Sequence, residues 1–561
     1  MALQTRKNRA GRLIFAIVAL LTIIATAGAV QAAPQAQRLK PKPTFAKEAA
    51  FDKTATLREM AQRPRQPVVP RELPEERGPV VADRGHSGDG ALEAGAEAAV
   101  QAAQIPAPLI TFEGLRNTDN PFLVNPPDPV GDVGPNHYVE MVNLSFAVYS
   151  KTGTRLLGPL PLGVLWDDFA VSDCEDLSGD PIVIYDQLAD RWILSQFTTL
   201  GPTFYNCVAI SQTGDPTGAY YRYAFSSGVN FPDYPKYGVW NNSYLLTTRE
   251  FGPVDEYGIG VYALERNKMI NGEPNVRTAS FFLDAEVVPI SLIGDGLLPP
   301  DIDGTRRPLD HVAAPIVGTQ DDDHPYGATF DALNIWNLLV RWNSTPSASL
   351  ELVSQIPVAE FDSIFPCAPS SRDCIPQPGI TNPAQYIDIL SYRQRPTWRL
   401  AYRNFGTYEA LVTNQSVEAR PGIAGVRWYE LRRAGGQYSL YQQGTFAPDD
   451  GVHRWMGSIA MDKRGNMGLG YSVSSSTVYP GIRYTGRLRG DALGAMPLGE
   501  AVLINGSGSQ LTTNSRWGDY TSMNIDPTDD CTFWYVNEYY ETTSLAGWQT
   551  RIGSFKLPGC Q

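Results

Sequence analysis

A unit that returns several times along the chain constrains the fold more than any other feature. One copy begins at Gly179-Asp180-Pro181 and ends at Ile193-Leu194-Ser195, and another begins at Gly518-Asp519-Tyr520 and ends at Phe533-Trp534-Tyr535-Val536. In both copies a Gly-Asp pair leads into a short apolar strand, an Asp-rich turn and a second strand that opens on aromatic residues. Self-similarity of this kind predicts a repeat architecture.

The region from residue 106 to 561 has the pattern of an all-β protein. Short runs rich in Val, Ile, Tyr, Phe, Trp and Thr alternate with Gly, Pro, Asn and Asp, and no apolar stretch keeps helical spacing for long. Seven units can be placed, with starts near Asp132, Gly179, Asp233, His311, Tyr386, Trp455 and Gly518. They predict a single β-propeller, a ring of seven four-stranded blades. Long insertions in the fourth and fifth units leave six or eight blades open, and a pair of β-sandwich domains is the alternative fold.

The ends of this region predict how the ring closes. The seventh unit stops after its third strand, at Arg551 to Leu557, only a few residues before the last residue of the sequence. An outer strand from elsewhere must complete that blade. The apolar run Leu109-Ile110-Thr111-Phe112-Glu113 precedes the first unit, so we expect a closing strand near residues 108–115.

The first 32 residues have the features of a secretory signal peptide. Arg6, Lys7, Arg9 and Arg12 precede an uncharged apolar run from Leu13 to Val30, and Val30-Gln31-Ala32 is a plausible cleavage site. The alternative is an uncleaved anchor, because the run is about as long as the shortest membrane-spanning helix. Cleavage predicts a secreted or periplasmic protein without a membrane span.

Residues 33–105 differ in composition from the rest of the chain. All 11 Trp and all 27 Tyr lie beyond residue 105, and Phe45 and Phe51 are the aromatic residues of this segment. A stretch rich in Ala, Pro, Arg and Glu buries too little apolar surface to offset the cost of ordering its backbone. We therefore predict a disordered leader, with a cleaved pro-segment as the functional alternative.

The cysteines indicate the redox state of the protein, and the net charge limits its possible partners. Six cysteines in an exported chain indicate disulfides, and six allow fifteen pairings. Pairing of sequence neighbours is favoured because each bond would then staple one unit, and free buried thiols are the alternative. The predicted pairs are Cys174 with Cys207, Cys367 with Cys374, and Cys531 with Cys560. The net charge of −13, which loss of the basic signal peptide makes more negative, argues against nucleic acid or an anionic membrane as a partner.

Polar residues recur where each unit begins, and in a propeller these positions surround one mouth of the central channel. They are Asp128, Asp132, Asp180, Asp233, Asp310, His453, Arg454, Arg516 and Asp519. Carboxylates that converge raise one another's pKa and can supply an acid and base pair, so Asp180, Asp233 and Asp519 are the catalytic candidates. For each single residue, however, the favoured interpretation is that the Asp caps a turn through backbone hydrogen bonds.

The remaining residues of that set are candidate ligand-binding groups. Arg454 and Arg516 suit bidentate binding of a carboxylate or sulfate group. Asp132, Asp310 and His453 are the other candidates for contacts with a ligand.

The sequence contains two short acidic runs that could bind a metal ion, but neither forms a complete metal-binding motif. Asp301 and Asp303, and the run Asp321-Asp322-Asp323, offer the hard oxygen ligands that calcium prefers, but the further ligands of an EF-hand loop are missing. Solvated loops are the favoured interpretation of both runs. The expectation is a protein without a cofactor, with calcium as an open alternative.

One stretch near the C-terminus resembles a known group of proteins. Arg516-Trp517-Gly518-Asp519-Tyr520, followed by Asp529-Asp530-Cys531-Thr532-Phe533-Trp534-Tyr535, resembles a signature of secreted bacterial β-propeller proteins, most of which have no assigned activity. The turn from Asp462 to Asn466 is more distantly similar to the Asp-box-type turns of sialidase-like propellers, although the full Ser-x-Asp-x-Gly-x-Thr-Trp box is absent. The resemblance implies a propeller and an export route, and it implies no sialidase activity.

These observations favour a binding protein over an enzyme. The leading hypothesis is a secreted, monomeric propeller that binds an extracellular carbohydrate or protein at its channel face. The alternative is a glycoside hydrolase or polysaccharide lyase that uses Asp180, Asp233 or Asp519 with Arg454 and Arg516. Two carboxyl groups within about 5 to 10 Å of each other in a pocket would favour the enzyme.

Overall fold

The strands form a closed ring of seven blades. The computed structural model describes residues 39–64, 85–93, 105–177, 179–254, 256–308, 311–365, 373–389, 394–511 and 514–561, so the predicted signal peptide lies outside the described residues. The first strand of each blade contacts the first strands of the two neighbouring blades, and the last blade contacts the first. The predicted all-β, seven-bladed propeller is thereby confirmed, and the two-sandwich alternative is excluded.

Three strands precede the first blade, and the first three blades are regular antiparallel meanders. The early strands are β1 (Thr44–Lys47), β2 (Ala50–Thr56) and β3 (Ile110–Arg116), with helix α1 (Leu57–Met60) after β2. Blade 1 contains β4 (Val130–Val133), β5 (His137–Val142), β6 (Ser145–Ser150) and β7 (Arg155–Pro161). Blade 2 contains β8 (Ile182–Asp186), β9 (Arg191–Phe197), β10 (Phe204–Ser211) and β11 (Ala219–Gly228). Blade 3 contains β12 (Phe231–Val239), β13 (Ser243–Phe251), β14 (Tyr257–Glu265), helix α2 (Arg266–Asn271) and β15 (Arg277–Asp284).

Blades 4 and 5 carry the insertions that obscure the repeat in the sequence. Blade 4 contains β16 (Pro300–Asp303), β17 (Ala314–Gln320), β18 (Ala332–Arg341) and β19 (Ser347–Pro357). A small sheet follows, made of β20 (Asp373–Ile375) and β21 (Ile387–Asp388), and then blade 5 with β22 (Thr397–Asn404), β23 (Glu409–Arg420), β24 (Ile423–Arg433) and β25 (Ser439–Phe446). The inner strand β16 is unusual because it pairs in parallel with β22 and meets its own blade through the bridge between Leu298 and Val317.

Blades 6 and 7 end the chain. Blade 6 contains β26 (His453–Met461), β27 (Met467–Ser474), β28 (Gly481–Arg487) and β29 (Glu500–Ile504). Blade 7 contains β30 (Ser522–Ile525), β31 (Thr532–Tyr540) and β32 (Trp548–Lys556). Short 3₁₀ turns connect some elements, at Asn117–Asp119, Leu162–Trp166, Ser172–Glu175, Ile290–Leu292 and Pro383–Gln385. Among the described residues, no helix has the length and apolar composition that crossing a membrane requires.

Strand β3 closes the ring, as the sequence predicted. It pairs antiparallel with β32, with Ile110 opposite Ser554 and Phe112 opposite Ile552, and it supplies the missing outer strand of blade 7. Backbone hydrogen bonds thus join sequence-distant parts of the chain and cover the outer edge of β32.

The prediction that residues 33–105 are disordered is wrong for part of that segment. Strand β2 pairs with β11 as a fifth strand on blade 2, and β1 pairs with β15 as a fifth strand on blade 3. Asp89 forms a buried ion pair with Arg427 of blade 5 at 2.6 Å. Edge strands are held by backbone hydrogen bonds, which an aromatic-poor segment makes as well as any other. Residues 65–84 and 94–104 lie outside the described ranges.

The disulfides follow the predicted pairing wherever the structure describes both cysteines. Cys174 is bonded to Cys207, and Cys531 is bonded to Cys560. Cys374 is also disulfide-bonded, and its predicted partner Cys367 lies outside the described residues. Each of the two described bonds joins neighbouring parts of one blade, which agrees with the reasoning that a disulfide staples a single unit.

The hydrophobic core lies between adjacent blades rather than at the centre of the ring. Seven tryptophans are among the largest fully buried side chains, namely Trp166, Trp192, Trp336, Trp428, Trp455, Trp517 and Trp548. Between blades 3 and 4 the inner strands approach so closely that a side chain at Gly238 would collide with the carbonyl oxygen of Pro300. Packing between blade faces therefore leaves the centre to the polar residues that line the channel.

Candidate functional site

Charged side chains from four blades converge where the inner strands begin. Asp128 belongs to blade 1, Asp180 to blade 2, Asp233 to blade 3, and Arg516 and Asp519 to blade 7. We call these five residues the mouth cluster. Hydrogen bonds join it across blades, because the Asp519 backbone N–H donates to Asp128 Oδ1 at 2.7 Å. Within blade 7, Arg516 Nη2 donates to Asp519 Oδ2 at 3.1 Å.

A buried layer of aromatic and cationic residues lies beside the mouth cluster. We call Tyr234, Lys236, Arg395 and Tyr520 the channel floor. Lys236 Nζ lies 3.1 Å from the ring centroid of Tyr234 and 3.6 Å from that of Tyr520. The Arg395 guanidinium carbon lies 3.8 Å from the centroid of the Tyr234 ring. Because Tyr234 and Tyr520 come from blades 3 and 7 and their centroids are 5.2 Å apart, these contacts span the channel.

The floor and the cluster are connected by hydrogen bonds and ion pairs. The Tyr520 hydroxyl donates to Asp180 Oδ2 at 2.8 Å, which ties blade 7 to blade 2. Arg249 of blade 3 lies between two carboxylates, 3.4 Å from Asp233 and 3.3 Å from Asp295. The result is a network of alternating charges around the channel.

Solvent reaches the mouth cluster but not the channel floor. Asp180, Asp233, Arg516 and Asp519 are each partly exposed. Tyr234, Lys236, Arg395 and Tyr520 are buried, with exposed fractions of 3% or less. A ligand that approaches this end of the channel would therefore meet the Asp and Arg side chains first.

The protein environment raises the pKa of two carboxyl groups in the mouth cluster. Burial and the nearby Asp519 charge raise the pKa of Asp128 to about 7. Burial, together with the charges of Asp128 and Asp233, raises the pKa of Asp180 well above its ordinary value. Burial and the positive charge of Arg395 lower the pKa of Lys236 well below its ordinary value. Groups with opposite shifts in one site can hold and accept protons near neutral pH.

The backbone at this end of the channel is strained at three non-glycine residues. Asp128, Asp180 and Tyr234 have φ angles of 48°, 44° and 54°. The left-handed region costs a bulky residue such as Tyr about 1–3 kcal/mol and is enriched at functional sites. Packing and hydrogen bonds must hold these turns, which aim the side chains into the channel.

Three predicted ligand-binding residues lie in other environments. Asp132 accepts hydrogen bonds from the backbone N–H groups of Val133 and Tyr185, both at 2.7 Å, as the turn-capping interpretation expects. His453 is buried, and its Nδ1 accepts from the Ala424 N–H at 3.3 Å. Burial lowers the pKa of this imidazole to about 4, so it is neutral at physiological pH.

Arg454 differs most from its predicted role. Its guanidinium is fully buried and pairs with Asp450 at 2.7 Å and with Glu500 at 2.8 Å. Both partners belong to blade 6 or the turn that precedes it, so the charge is neutralised within the blade. An arginine held in this way has no free fork to offer a ligand. Asp310 lies outside the described residues.

The candidate calcium ligands of blade 4 are paired with an arginine. Arg399 Nε donates to Asp301 Oδ2 at 3.0 Å, and Arg399 Nη2 donates to Asp303 Oδ1 at 2.6 Å. The guanidinium thus lies where a cation between the two carboxylates would lie. This geometry disfavours the calcium prediction at Asp301 and Asp303.

A second acidic group lies on blade 4. Carboxylate oxygens of Asp321, Asp322 and Asp331 lie within 4.8 Å of one another, which is close enough for a shared metal ion. Asp321 and Asp331 already accept backbone hydrogen bonds, from Asp323 and His324 to Asp321 and from Asp322 and Phe361 to Asp331. These bonds explain the clustering without an ion.

The channel floor is the part of the site that sequence reasoning missed. Tyr520 follows the predicted Asp519 directly, and Tyr234 and Lys236 follow the predicted Asp233 by one and three positions. That adjacency was the available signal. Arg395 gave none, because it lies in the long insertion before β22 where no repeat pattern is visible.

The fold and the site together define a seven-bladed β-propeller with a charged channel mouth. No known family matches the sequence, and no curated protein matches it. Solved structures that are similar in fold include a sialidase, an arabinanase and a polysaccharide lyase. A Trypanosoma rangeli sialidase in complex with the inhibitor DANA has 7% identity and a TM-score of 0.31, over 67% of this chain and 54% of its own. The chain therefore spans about half of that sialidase.

The other two similar structures are covered almost completely. A Penicillium chrysogenum α-L-arabinanase complexed with arabinobiose has 11% identity and a TM-score of 0.27, over 68% of this chain and 96% of its own. The polysaccharide lyase Uly1 has 10% identity and a TM-score of 0.32, over 85% of this chain and 98% of its own. At such identities and TM-scores the likeness carries no argument about function.

Proposed function

We propose that the protein is exported and binds an extracellular carbohydrate at the mouth cluster. One observation carries the proposal: the partly exposed side chains of Asp180, Asp233, Arg516 and Asp519 come from three blades and converge at one end of the channel. Concave sites with a few convergent polar groups are the usual form of small-ligand sites. The two disulfides support export, because such bonds persist in oxidising compartments.

The chemistry of the cluster suits a polyhydroxylated ligand. Ionised carboxylates accept, and guanidinium groups donate, the charge-assisted hydrogen bonds that sugar hydroxyls can complete. Asp233 and Asp519 are each held by an arginine, Arg249 and Arg516, which fixes their orientation before a ligand arrives. Preorganisation of this kind reduces the entropy cost of binding. The alternative ligand is an extracellular protein. We further propose that the protein acts as a monomer and binds neither nucleic acid nor a membrane.

A second candidate function is glycoside hydrolysis or polysaccharide cleavage by a lyase. The raised pKa of Asp180 favours it, since a protonated carboxyl at neutral pH can act as a general acid. Asp519, which pairs with Arg516, is the corresponding candidate for the second carboxyl group. Two carboxyl groups with different protonation states are what a glycosidase requires.

A ligand screen separates these functions. The purified mature protein is mixed with neutral, uronate-containing and sulfated polysaccharides, and thermal shift, reducing-end release and formation of unsaturated products are measured together. We expect a thermal shift without new products. Release of reducing ends supports the hydrolase, unsaturated products support the lyase, and no response to any polysaccharide contradicts the proposal.

Variants locate the response at the mouth cluster. Asp519→Asn and Asp180→Asn are expected to remove the thermal shift, because each replaces a partly exposed acidic side chain of the channel mouth. Asp449→Asn is the matched control, since Asp449 is exposed on the turn before blade 6. A shift that survives both mouth variants would place the ligand elsewhere on the protein.

A further inference from the structure

Arg395 is the arginine of this site with the weakest pairing to a carboxylate among the described residues. Arg249 lies within 3.4 Å of two carboxylates, and Arg516 lies 3.1 Å from Asp519 and 3.6 Å from Asp388. The carboxylate oxygen paired with Arg395 is Asp519 Oδ2, at 3.9 Å from Nη2, which is beyond hydrogen-bond distance. Among the described residues, Arg395 therefore has an ion pair but no hydrogen bond to a carboxylate.

The guanidinium of Arg395 is nevertheless buried and fixed in place. Its Nε and Nη2 atoms are buried and have no hydrogen-bond partner in the described part of the chain. The side chain is 1% exposed and stacks on the ring of Tyr234, whose own hydroxyl is also buried without a partner there. Buried donors of a charged group are costly to leave unpaired, so Nε and Nη2 of Arg395 are groups of the floor that can still bind an acceptor, and the Tyr234 hydroxyl is another.

The guanidinium of Arg395 lies at the channel. Arg395 precedes the inner strand of blade 5, stacks on Tyr234 of blade 3 and reaches toward Asp519 of blade 7. Its guanidinium therefore lies across the channel, beside the partly exposed residues of the mouth cluster. Two partly exposed residues border the floor: Asp519 lies 3.9 Å from Arg395, and Asp180 accepts from the Tyr520 hydroxyl.

We propose that Arg395, together with the Tyr234 hydroxyl, binds the carboxylate of a uronate residue in the carbohydrate. This inference rests on the proposed function and names the class of its ligand. The planar fork of a guanidinium matches the two oxygens of a carboxylate, and stacking on an aromatic ring keeps the fork in one plane. The hydroxyl adds a third donor beside it.

Neighbouring acids do not prevent the approach of an anion. Burial raises the pKa of Asp128 to about 7 and that of Asp180 well above its ordinary value, so both groups hold their protons to higher pH than an exposed carboxyl group does. Asp233 is compensated by Arg249, and Asp519 by Arg516. Burial, together with the positive charge of Arg395, lowers the pKa of Lys236. The remaining positive charge near the floor is therefore that of Arg395.

The test uses pairs of oligosaccharides that differ in the carboxyl group alone. Oligomers of galacturonate, mannuronate, guluronate and glucuronate are each compared with their carboxyl-reduced, neutral counterparts by titration calorimetry at low salt. We expect the wild-type protein to bind at least one uronate oligomer about tenfold or more tightly than its reduced form, as loss of a charge-assisted bidentate contact implies. Sulfated neutral oligomers form a third arm.

Two variants assign the preference to the proposed groups. Arg395→Met is expected to abolish the difference between the acidic and the reduced oligomer, and Tyr234→Phe, which removes only the hydroxyl, is expected to lessen it. Arg432→Met is the matched control, because Arg432 also stacks on a tyrosine, 3.3 Å from the Tyr441 ring centroid, but belongs to the outer part of blade 5. A purely structural role of Arg395 would lower the melting temperature and leave the preference of the remaining folded protein intact.

The outcomes separate this inference from the proposed function. Equal binding of acidic and reduced oligomers, or a preference that survives in Arg395→Met, overturns the inference and leaves carbohydrate binding in place. Tighter binding of sulfated neutral oligomers than of uronates overturns it as well. Failure to bind any oligosaccharide of the panel overturns both.

Discussion

Single residues at the channel mouth owe their chemistry to burial more than to their identity. Asp128 is buried, accepts hydrogen bonds from the Asn143 side chain and the Asp519 backbone, and lies near a second carboxylate. Because water cannot solvate its charge, the folded protein holds its proton to higher pH than the unfolded chain does. The same effect acts on Asp180, so the mouth carries fewer negative charges near neutral pH than its composition implies.

Asp128 therefore makes folding stability depend on pH. The carboxyl ionises near 3.8 in the unfolded chain and near 7 in the folded protein, so stability falls as the pH rises through this window and is highest below it. Asn cannot ionise at this position. Between about pH 5 and about pH 8, we therefore expect the free energy of unfolding to fall on the order of one to a few kcal/mol less in Asp128→Asn than in wild type. Denaturant unfolding at both pH values measures this difference. An Asp449→Asn control should keep the wild-type slope, and an equal slope in Asp128→Asn would contradict the prediction.

Arg399 is a second residue whose partners determine the effect of a mutation. It holds Asp301 and Asp303, which are both buried in the channel. Arg399→Met leaves two buried carboxylates without a counter-ion, so we expect a loss of about 3–5 kcal/mol in the free energy of unfolding. Adding Asp301→Asn and Asp303→Asn should restore part of that loss. Arg58→Met, which removes an exposed ion pair with Asp215, should change stability by less than about 1 kcal/mol.

At the residue scale the sequence predicted the mouth better than the floor. Asp180, Asp233, Asp519 and Arg516 were found because they recur at one position of a repeat. Arg454 has the same repeat position but is neutralised by Glu500, which lies 46 residues further along the chain. Pairing over such a separation depends on packing that no local pattern encodes.

At the scale of elements, the N-terminal segment is a set of added edge strands. Strands β1 and β2 extend blades 3 and 2, and the short helix α1 follows β2 directly. Thr56 caps α1 through the Glu59 N–H, and Leu57 and Met60 are buried. These two apolar side chains anchor a segment that otherwise depends on backbone hydrogen bonds.

Loss of that anchor should release the segment without unfolding the ring. We expect Leu57→Ala, and more strongly Leu57→Ala with Met60→Ala, to weaken docking by about 2–5 kcal/mol per side chain. Limited proteolysis followed by mass spectrometry should then show cleavage between residues 39 and 64 well before cleavage of the blades. Arg58→Ala on the exposed side of the same helix is the control. Equal protection of all three proteins would show that backbone pairing alone holds the segment.

Element prediction failed where the physical signal was the backbone itself. Composition correctly identified 33–105 as poor in core residues, but pairing at a sheet edge requires only free N–H and C=O groups. Strand β16 was missed for a related reason, since its parallel partner β22 lies about a hundred positions away and the sequence between them carries two insertions.

At the scale of the whole molecule, stability depends on the seam between β3 and β32. A side chain at Gly114 would collide with the Thr550 hydroxyl and lie 2.6 Å from the Glu140 carboxylate, which accepts from the Leu115 N–H. Gly114→Val should therefore force the seam apart and cost about 1–3 kcal/mol or more.

Two measurements test that expectation. Thermal unfolding should show a lower melting temperature for Gly114→Val, and hydrogen exchange should show faster exchange in β32, which pairs with β3. Arg116→Val is the control, because Arg116 is an exposed residue at the end of the same strand. Unchanged exchange in β32 would mean that the seam tolerates a larger residue.

The architecture as a whole was the most predictable level. Seven units of similar pattern predicted the propeller, although the insertions in the fourth and fifth units left six or eight blades open. A seventh unit without an outer strand predicted where the ring closes. What the repeat could not specify is the content of the channel, because its residues belong to different blades and meet only once the ring exists. Arg395, Tyr234 and Asp519 come from three blades and illustrate this.

The seam also sets an order of events for a chain that is made from its N-terminus. Strand β3 is synthesised early, yet Thr111 contacts Arg551, 440 positions later. Until β32 has been synthesised, β3 has no strand to pair with and blade 7 is incomplete. A chain that stops before β32 therefore leaves β3 unpaired, and proteases and chaperones can recognise such an exposed strand. Closure of the ring thus removes a feature that marks incomplete chains.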